Sequence, residues 1–293
     1  EVIFLEKAIA VVGGDLRIIK VVEMLLRDGY KVYTYGLEMS EELMDIQELE
    51  QCPTINDAVK NATIVLGPIP LTSDRKNLSM PFSNIKLPVE EFITNIADKT
   101  LIAGQFPESL KKNLKENNIT YIDIAKREEF IVLNAIATAE GTIQMAMEET
   151  QRTIHGSKIL VMGFGRMGKV LAKNLSGLGA EVYCEARRDD DLAWIQVYGY
   201  NPIHLVNLDQ YLDKFDIIIN TIPFQVLDEE KLNLVRKDVV IIDLASNPGG
   251  VDIKAAKERG LKLIWALSIS GRVAPLTSAE YILETLYHVL KEL

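Results

Sequence analysis

The chain has 293 residues, 48% of them hydrophobic and 25% charged, which suits two globular domains of ordinary size, each able to bury a core. Its net charge of −10 argues against nonspecific binding to nucleic acid or an anionic membrane, while leaving room for local cationic sites that hold a small anion. Two cysteines, Cys52 and Cys184, make neither a disulfide framework nor a zinc site. No apolar run approaches about 18 residues and no signal-peptide pattern opens the chain, so a reducing, cytoplasmic, membrane-free setting is expected.

Residues 8–12 read as a buried strand, 13–17 as a turn, 18–27 as an amphipathic helix and 29–36 as holding the next strand. That is the opening of a Rossmann-like unit, but a poor dinucleotide site. Counted from Gly13, the second and third glycine positions are Asp15, which repels a pyrophosphate, and Ile18, which blocks close packing. The second strand ends in Gly36, with no acid or base for a ribose. The first half therefore reads as a substrate domain, residues 1–130. Either Arg17 holds a substrate carboxylate beside Asp15, or Asp15 caps the helix and Arg17 is a surface side chain. A strand over 61–66 leads into a proline-stiffened loop, where Thr72 and Ser73 offer hydroxyls. The polar stretch with Pro81 and Pro88 reads as an irregular or hairpin insertion. Strands follow at 100–103 and 120–123, with a helix over 108–117 between them.

Residues 130–152 form a long helical pattern, and 131–155 are expected to link two domains along one wall of a cleft. Thr138, Glu140 and Gly141 interrupt its apolar run; they either face a ligand or make a close helix contact without chemistry. The strongest motif lies beyond, in a domain expected over 156–270. A strand over 159–162 runs into Gly163-Phe-Gly-Arg-Met-Gly168, and a helix follows. Gly163 makes the tight turn, Gly165 admits a pyrophosphate and Gly168 lets helix and strand pack closely. Phe164, Arg166 and Met167 belong to the same phosphate-binding turn. Sixteen residues separate Gly163 from Gly179, as they separate Gly13 from Gly29, so the grammar occurs twice.

The next strand, from 181 to 184, ends in Glu185-Ala-Arg-Arg188. Glu185 points to NAD; Arg187 and Arg188 point to the 2′-phosphate of NADP, the favoured cofactor, with NAD as the alternative. Strands at 216–219, 239–242 and 261–264 place Thr221, Ile222, Pro223, Leu244 and Ala245 where a nicotinamide ribose and ring would rest. A final helix, expected from 276 and within the segment 271–293, carries an apolar stripe and packs back on the first domain; Thr277 or Ser278 with Glu280 supplies its start signal. The fold class is thus α/β: two Rossmann-like, doubly wound parallel-sheet domains joined by a long helix. The three histidines, His155, His204 and His288, have no metal-ligand spacing or carboxylate partner at a strand end, so neither a histidine–carboxylate dyad nor a metal site is expected.

Several motifs together resemble the A-subunit family of dipicolinate synthase, from spore-forming bacteria. They are Val12-Gly-Gly-Asp15 with Arg17, Asn134 with Thr138-Ala-Glu-Gly141, Gly163 to Gly168, Ile219-Asn-Thr-Ile-Pro223, Ile242-Asp-Leu-Ala-Ser246 with Pro248-Gly-Gly250, and Gly271 with Val273-Ala-Pro275. Ala137 and Ser270 stand where proline is expected, Asn247 where lysine is, and Glu185 where glycine is. The resemblance implies oxidation of a dihydrodipicolinate, formed from 4-hydroxy-tetrahydrodipicolinate, with hydride passing to NADP. It also implies a partner, the flavoprotein-like B subunit of dipicolinate synthase, and the cytoplasm of the sporulating mother cell. A homo-oligomer is a further expectation. Glu140 is the candidate base, with Thr138 beside it. Arg17, Asp15, Thr72, Ser246, Asn247, Gly249, Gly250 and Arg272 are candidates to bind the cyclic dicarboxylate. The competing readings are another two-domain NAD(P)-dependent dehydrogenase of a small hydroxy or amino acid, and a non-enzymatic dinucleotide sensor.

Overall fold

The computed structural model describes residues 8–246 and 248–293. The chain forms two compact units. Residues up to Leu133 together with Ala274–Leu293 make the first, and Asn134–Val273 make the second.

Unit 1 contains β1 (Ala8–Val12), α1 (Leu16–Arg27), β2 (Lys31–Tyr35), β3 (Glu50–Gln51), α2 (Ile55–Val59), β4 (Ile64–Leu66), α3 (Val89–Asn95), β5 (Thr100–Ala103), α4 (Lys111–Glu116) and β6 (Thr120–Asp123). Its six parallel strands run in the order β3-β2-β1-β4-β5-β6, so the winding reverses between β1 and β4, the position where open α/β sheets place ligands. Strand alternation builds two cores. Ile9 and Val11 face Ile18, Ile19, Val22 and Leu25 of α1. Ala10 and Val12 face a layer with Phe92, Ile93 and Leu114. The stretch read as an irregular or hairpin insertion forms one antiparallel bridge, Asn77 to Pro88, and α3 then begins at once. Pro88 acts there as an entry residue rather than a breaker, because a proline at a helix start gives up no needed N–H.

Helix α5 (Glu128–Glu149) carries the chain from one unit into the other. By length and composition alone it is apolar enough to cross a membrane, with a mean hydropathy of 1.3 over its most apolar window, but Asn134, Thr138, Glu140, Thr142 and Gln144 interrupt the apolar run. Phe130 is buried in the core of unit 1, and Ala139, Ile143 and Ala146 in that of unit 2.

Unit 2 repeats the design with β7 (Lys158–Met162), α6 (Arg166–Gly177), β8 (Glu181–Ala186), α7 (Asp189–Val197), β9 (Asn201–His204), β10 (Ile217–Asn220), α8 (Glu229–Leu232), β11 (Val240–Asp243), α9 (Ile253–Glu258), β12 (Lys262–Trp265) and α10 (Ile269–Val273). The strand order is β12-β11-β10-β7-β8-β9, all parallel, with the switch between β7 and β10.

The last helix, α11 (Pro275–Glu292), returns to unit 1 and packs on α1. Ile282, Leu286 and Val289 join the core there, each contributing about 1.5–3 kcal/mol. Tyr287 stacks on Tyr30 at 5.8 Å and donates to Asp28 at 2.6 Å. Arg127 closes the far end with two bonds to Glu292, at 2.6 and 2.7 Å. The helix starts at Pro275, ahead of Thr277 and Ser278, because proline fits the first helical turn.

Candidate functional site

In unit 2 the glycine turn crosses the carboxyl end of the sheet beside the switch point. Gly163 has φ +87°, and a Cβ there would stand 2.7 Å from the Thr221 hydroxyl oxygen. A Cβ on Gly168 would lie 2.0 Å from the Gly163 carbonyl oxygen, so helix and turn touch backbone to backbone. A Cβ on Gly165 would meet none of the described residues beyond its chain neighbours within 4 Å, and Gly165 caps α6 with no side-chain bond to the helix start. Open space before an uncapped helix N-terminus fits a pyrophosphate. Arg166 and Gly165 are exposed there. The Phe164 ring does not face a ligand. It is 4% exposed and packs near Tyr198 and Tyr200, because its strand-end position directs it into the core. Met167 likewise packs against that core, so both residues leave only their backbone on the turn.

The next strand end corrects the reading of Glu185. Alternation puts Cys184 and Ala186 on the α6 face and Tyr183 on the opposite face, so Glu185 starts from the face away from α6. It is 0% exposed, and its Oε2 accepts from the Gly163 N–H at 3.2 Å. Its Oε1 is buried without a partner among the described residues. Burial raises its pKa above the ordinary carboxyl value, against smaller opposing contributions from the Gly163 N–H, Arg187 and His204. Such a group is not on the surface where a ribose hydroxyl arrives. Arg188 caps α7 and pairs with Asp190 through Nε at 2.8 Å, so its charge is largely spent locally. Arg187 is exposed and forms no ion pair with the described residues.

The two loops beyond β10 and β11 rest on a buried pair that the motif reading does not anticipate. Asn220 and Asp243 end otherwise apolar strands, face each other in register, and are 0% and 2% exposed. Asn220 Nδ2 donates to Asp243 Oδ1 at 2.8 Å and to the Ile222 carbonyl at 3.0 Å, while Asn220 Oδ1 accepts from the Ile222 N–H at 3.1 Å. Asp243 also accepts from Ala245 N–H at 3.0 Å and Gly250 N–H at 2.7 Å. The Thr221 hydroxyl donates to the Met162 carbonyl at 2.8 Å, tying the loop to β7. Thr221, Ile222, Pro223, Leu244 and Ala245 thus lie together around the switch point, shaped by this pair.

The same network corrects the role expected of Gly249 and Gly250. Their N–H groups are not presented to a dicarboxylate: Gly249 donates to the Ser246 carbonyl and Gly250 to Asp243. Gly249 is needed for its φ of +86°, and a Cβ on Gly250 would sit 2.1 Å from Asn220 Nδ2. Ser246 is exposed, whereas Asn247 lies outside the described residues. Arg272 is exposed, with a 3.3 Å bond to the Leu267 carbonyl.

On α5, a Cβ at Gly141 would meet Ile269 at 2.3 Å and Val273 at 2.8 Å, so this glycine serves a close helix contact. The Thr138 hydroxyl donates to the Asn134 carbonyl at 3.0 Å. Glu140 is exposed and lines a groove with Ile143, Met147, Lys173 and Leu178. Lys173 is about 12 Å along α6 from Gly165 at the usual rise per residue. Within unit 2 the structure therefore does not bring Glu140 to the strand ends.

In unit 1 the corresponding crevice is filled from within. Gly14 N–H donates to the Ser79 carbonyl at 2.9 Å. Met80 reaches between the two glycine corners, where a Cβ on Gly13 would stand 2.6 Å, and one on Gly36 2.4 Å, from its side chain. Asp15 caps α1 by accepting from Arg17 N–H at 3.0 Å. Arg17 is 6% exposed, not a surface residue. Its guanidinium holds Asp15 through Nε at 3.0 Å and Nη2 at 2.7 Å, and donates to the Ile69 carbonyl ahead of the cis Pro70. The carboxylate this fork grips is internal. Thr72 is buried, and its hydroxyl donates to Asp74 at 3.3 Å.

Comparisons agree with this architecture. Residues 8–125 match the family model of the N-terminal domain of the dipicolinate synthase A subunit, and residues 130–251 that of the D-isomer specific 2-hydroxyacid dehydrogenase, NAD binding domain. The dipicolinate synthase A subunit of Bacillus subtilis is 30% identical over 97% of this chain and 96% of its own. The crystal structure of its Bacillus halodurans counterpart superposes with a TM-score of 0.88 at 31% identity, covering 97% of this chain and 98% of that one. A shikimate dehydrogenase (NADP(+)) of Methanococcus maripaludis is 30% identical over 42% of this chain and 48% of its own. With both domains in sequence order and a relative aligned over nearly its full length, the chain belongs to the A-subunit family of dipicolinate synthase.

Proposed function

We propose that the protein oxidises a dihydrodipicolinate, derived from 4-hydroxy-tetrahydrodipicolinate, to dipicolinate, with NADP⁺ as hydride acceptor. The observation that carries the cofactor choice is the end of β8. Its acid, Glu185, is buried beneath Gly163, and the side chain left in solvent without an ion pair among the described residues is the cation Arg187. An exposed guanidinium suits a 2′-phosphate, and a withdrawn carboxyl suits no ribose hydroxyl. The partial likeness to a shikimate dehydrogenase named for NADP(+) supports the same choice.

A bound nicotinamide dinucleotide would supply the hydride-accepting ring. The chain supplies the α6 start for the pyrophosphate, Arg187 for the phosphate, and the loops held by Asn220 and Asp243 beside the switch point. Aromatisation provides driving force, so alignment is the main demand on the protein. Among the substrate-side candidates, Ser246 and Arg272 retain exposed side chains for the two carboxylates. Arg17 and Asp15 act by shaping the unit 1 turn around Ile69. Thr72 stands on the loop that follows. Glu140, on the α5–α6 groove, remains the proposed proton acceptor, with Thr138 two residues before it and its hydroxyl tied to the Asn134 carbonyl. The proposed partner is the flavoprotein-like B subunit that the naming of the relatives implies, and the mother-cell cytoplasm is the proposed location.

The test supplies freshly made 4-hydroxy-tetrahydrodipicolinate with NADP⁺ or NAD⁺, with and without that partner. Cofactor reduction is followed by absorbance and the product identified by mass. Dipicolinate formed faster with NADP⁺ is the expected result. The dehydrogenase-type nucleotide domain also favours a simpler reading, oxidation of a small 2-hydroxy acid. Turnover of such acids, with none of the cyclic substrate, would establish that reading instead.

A further inference from the structure

Glu185 is a long carboxyl side chain set into a wholly enclosed place. Its strand neighbours are Met162 of β7 and Ile203 of β9, both buried and apolar. Among the described residues, one oxygen has a single 3.2 Å bond to Gly163 N–H and the other has no partner. An ionised carboxylate in such a place lacks most of the bonds that would replace water, whereas a neutral acid is far better tolerated. The charged or titratable groups acting on it are Arg187 from the following loop and His204 from β9; the His204 ring accepts from Val206 N–H through Nδ1 at 3.2 Å. Burial outweighs both, so the carboxyl holds its proton to a higher pH than a free one. The group lies directly under the glycine turn and one residue before Ala186, where the ribose of a dinucleotide on that turn would end.

We infer that Glu185 makes the choice between the two dinucleotides depend on pH, its proton being retained or taken up from solvent when the 2′-phosphate binds nearby. This rests on the dinucleotide reading proposed above and adds to it a residue that sets specificity. Protonated, the side chain is a neutral filler and Arg187 governs, so the phosphorylated dinucleotide is preferred. Ionised, it places a negative charge near a phosphate that is itself almost fully charged above neutrality, and it repels that phosphate. The unphosphorylated dinucleotide has no such penalty. Preference for NADP⁺ over NAD⁺ is therefore expected to fall as pH rises through the titration of Glu185.

Dissociation constants for NADP⁺ and NAD⁺ are measured from pH 4.5, the ordinary carboxyl range, to pH 9 on the intact chain and on Glu185→Gln. The amide keeps the shape and cannot ionise. The NADP⁺:NAD⁺ preference of the wild-type chain should drop by about tenfold relative to the variant across the range, the equivalent of one unit of displaced carboxyl titration. A readout on the wild-type chain alone covers the case of a variant that does not fold. Calorimetry of NADP⁺ binding at the pH values where the wild-type preference falls, in two buffers of different ionisation enthalpy, should show net proton uptake beyond that seen with NAD⁺. Parallel pH profiles in the two chains, or equal proton uptake with the two dinucleotides, overturns the role of Glu185 while leaving the nucleotide site intact. Binding of neither dinucleotide at any pH overturns the nucleotide site itself, and this inference with it.

Discussion

Removing the carboxylate of Asp243 strips three buried donors of their acceptor: Asn220 Nδ2, Ala245 N–H and Gly250 N–H, at 2.8, 3.0 and 2.7 Å. Each unsatisfied buried donor costs about 1–3 kcal/mol. Some relief comes from water reaching the neighbouring loops, so Asp243→Ala is expected to destabilise unit 2 by about 3 kcal/mol, the lower end of the sum. Asp243→Asn keeps one oxygen for two donors and turns its amide against the third, for a loss of about 1–2 kcal/mol. Both tryptophans, Trp194 and Trp265, lie in unit 2, and Trp265 Nε1 donates to the Ala245 carbonyl at 2.8 Å. Tryptophan emission during urea unfolding therefore reports this unit. With a slope of about 2 kcal/mol/M, the alanine midpoint should fall by about 1.5 M and the asparagine midpoint by about 0.5–1 M. An alanine midpoint within about 0.2 M of wild type, at unchanged slope, would refute the idea that this pair holds the loops.

Three further outcomes are expected. Gly168→Ala, whose Cβ would lie 2.0 Å from the Gly163 carbonyl oxygen, should lower dinucleotide affinity by at least about tenfold in a fluorescence titration, because the turn must open to admit the methyl. Met80→Ala should cost about 2–4 kcal/mol in thermal or urea melts yet create no second dinucleotide site, since Ser79 still occupies the Gly14 N–H; a binding stoichiometry of two would contradict this. Under native conditions an alkylating reagent at pH 8 should modify Cys52, which is half-buried, and leave Cys184, a buried thiol pushed up to about 12 by desolvation; peptide mass mapping distinguishes the two.

Legible in the sequence is whatever an apolar run and a glycine state together. Ile217-Ile-Ile and Val240-Ile-Ile announce strands buried on both faces, and Gly163, Gly165 and Gly168 announce the turn that follows such a strand. The two-residue strand Glu50–Gln51 is exposed on both faces and carries no apolar signal, so only pairing with β2 defines it. Helix α3 is hidden because Pro88 reads equally as a breaker and as an entry. At the site, the polar residues closing β10 and β11 sit inside recognisable motifs, yet nothing local marks them as a pair. Their partnership depends on parallel register between strands twenty residues apart, which no local pattern encodes. Glu185 misleads for a related reason. Its distance along the chain suits a ribose acid, but the two-residue alternation of β8 turns it to the other face.

Because α11 completes the core of unit 1 against α1, that unit is assembled from the two ends of the chain, while unit 2 is continuous. During synthesis, every residue of unit 2 is made before α11 is. The continuous unit can therefore fold first, and the flanking unit must wait, with Ile18, Ile19 and Val22 lacking their cover, until the last residues are released. The closing step is a long-range pairing between α1 and α11 across nearly the whole length of the chain, the kind of contact that slows folding. A chain truncated before Pro275 would leave this apolar face of α1 without α11, a ready start for aggregation, even though its nucleotide-binding half is whole.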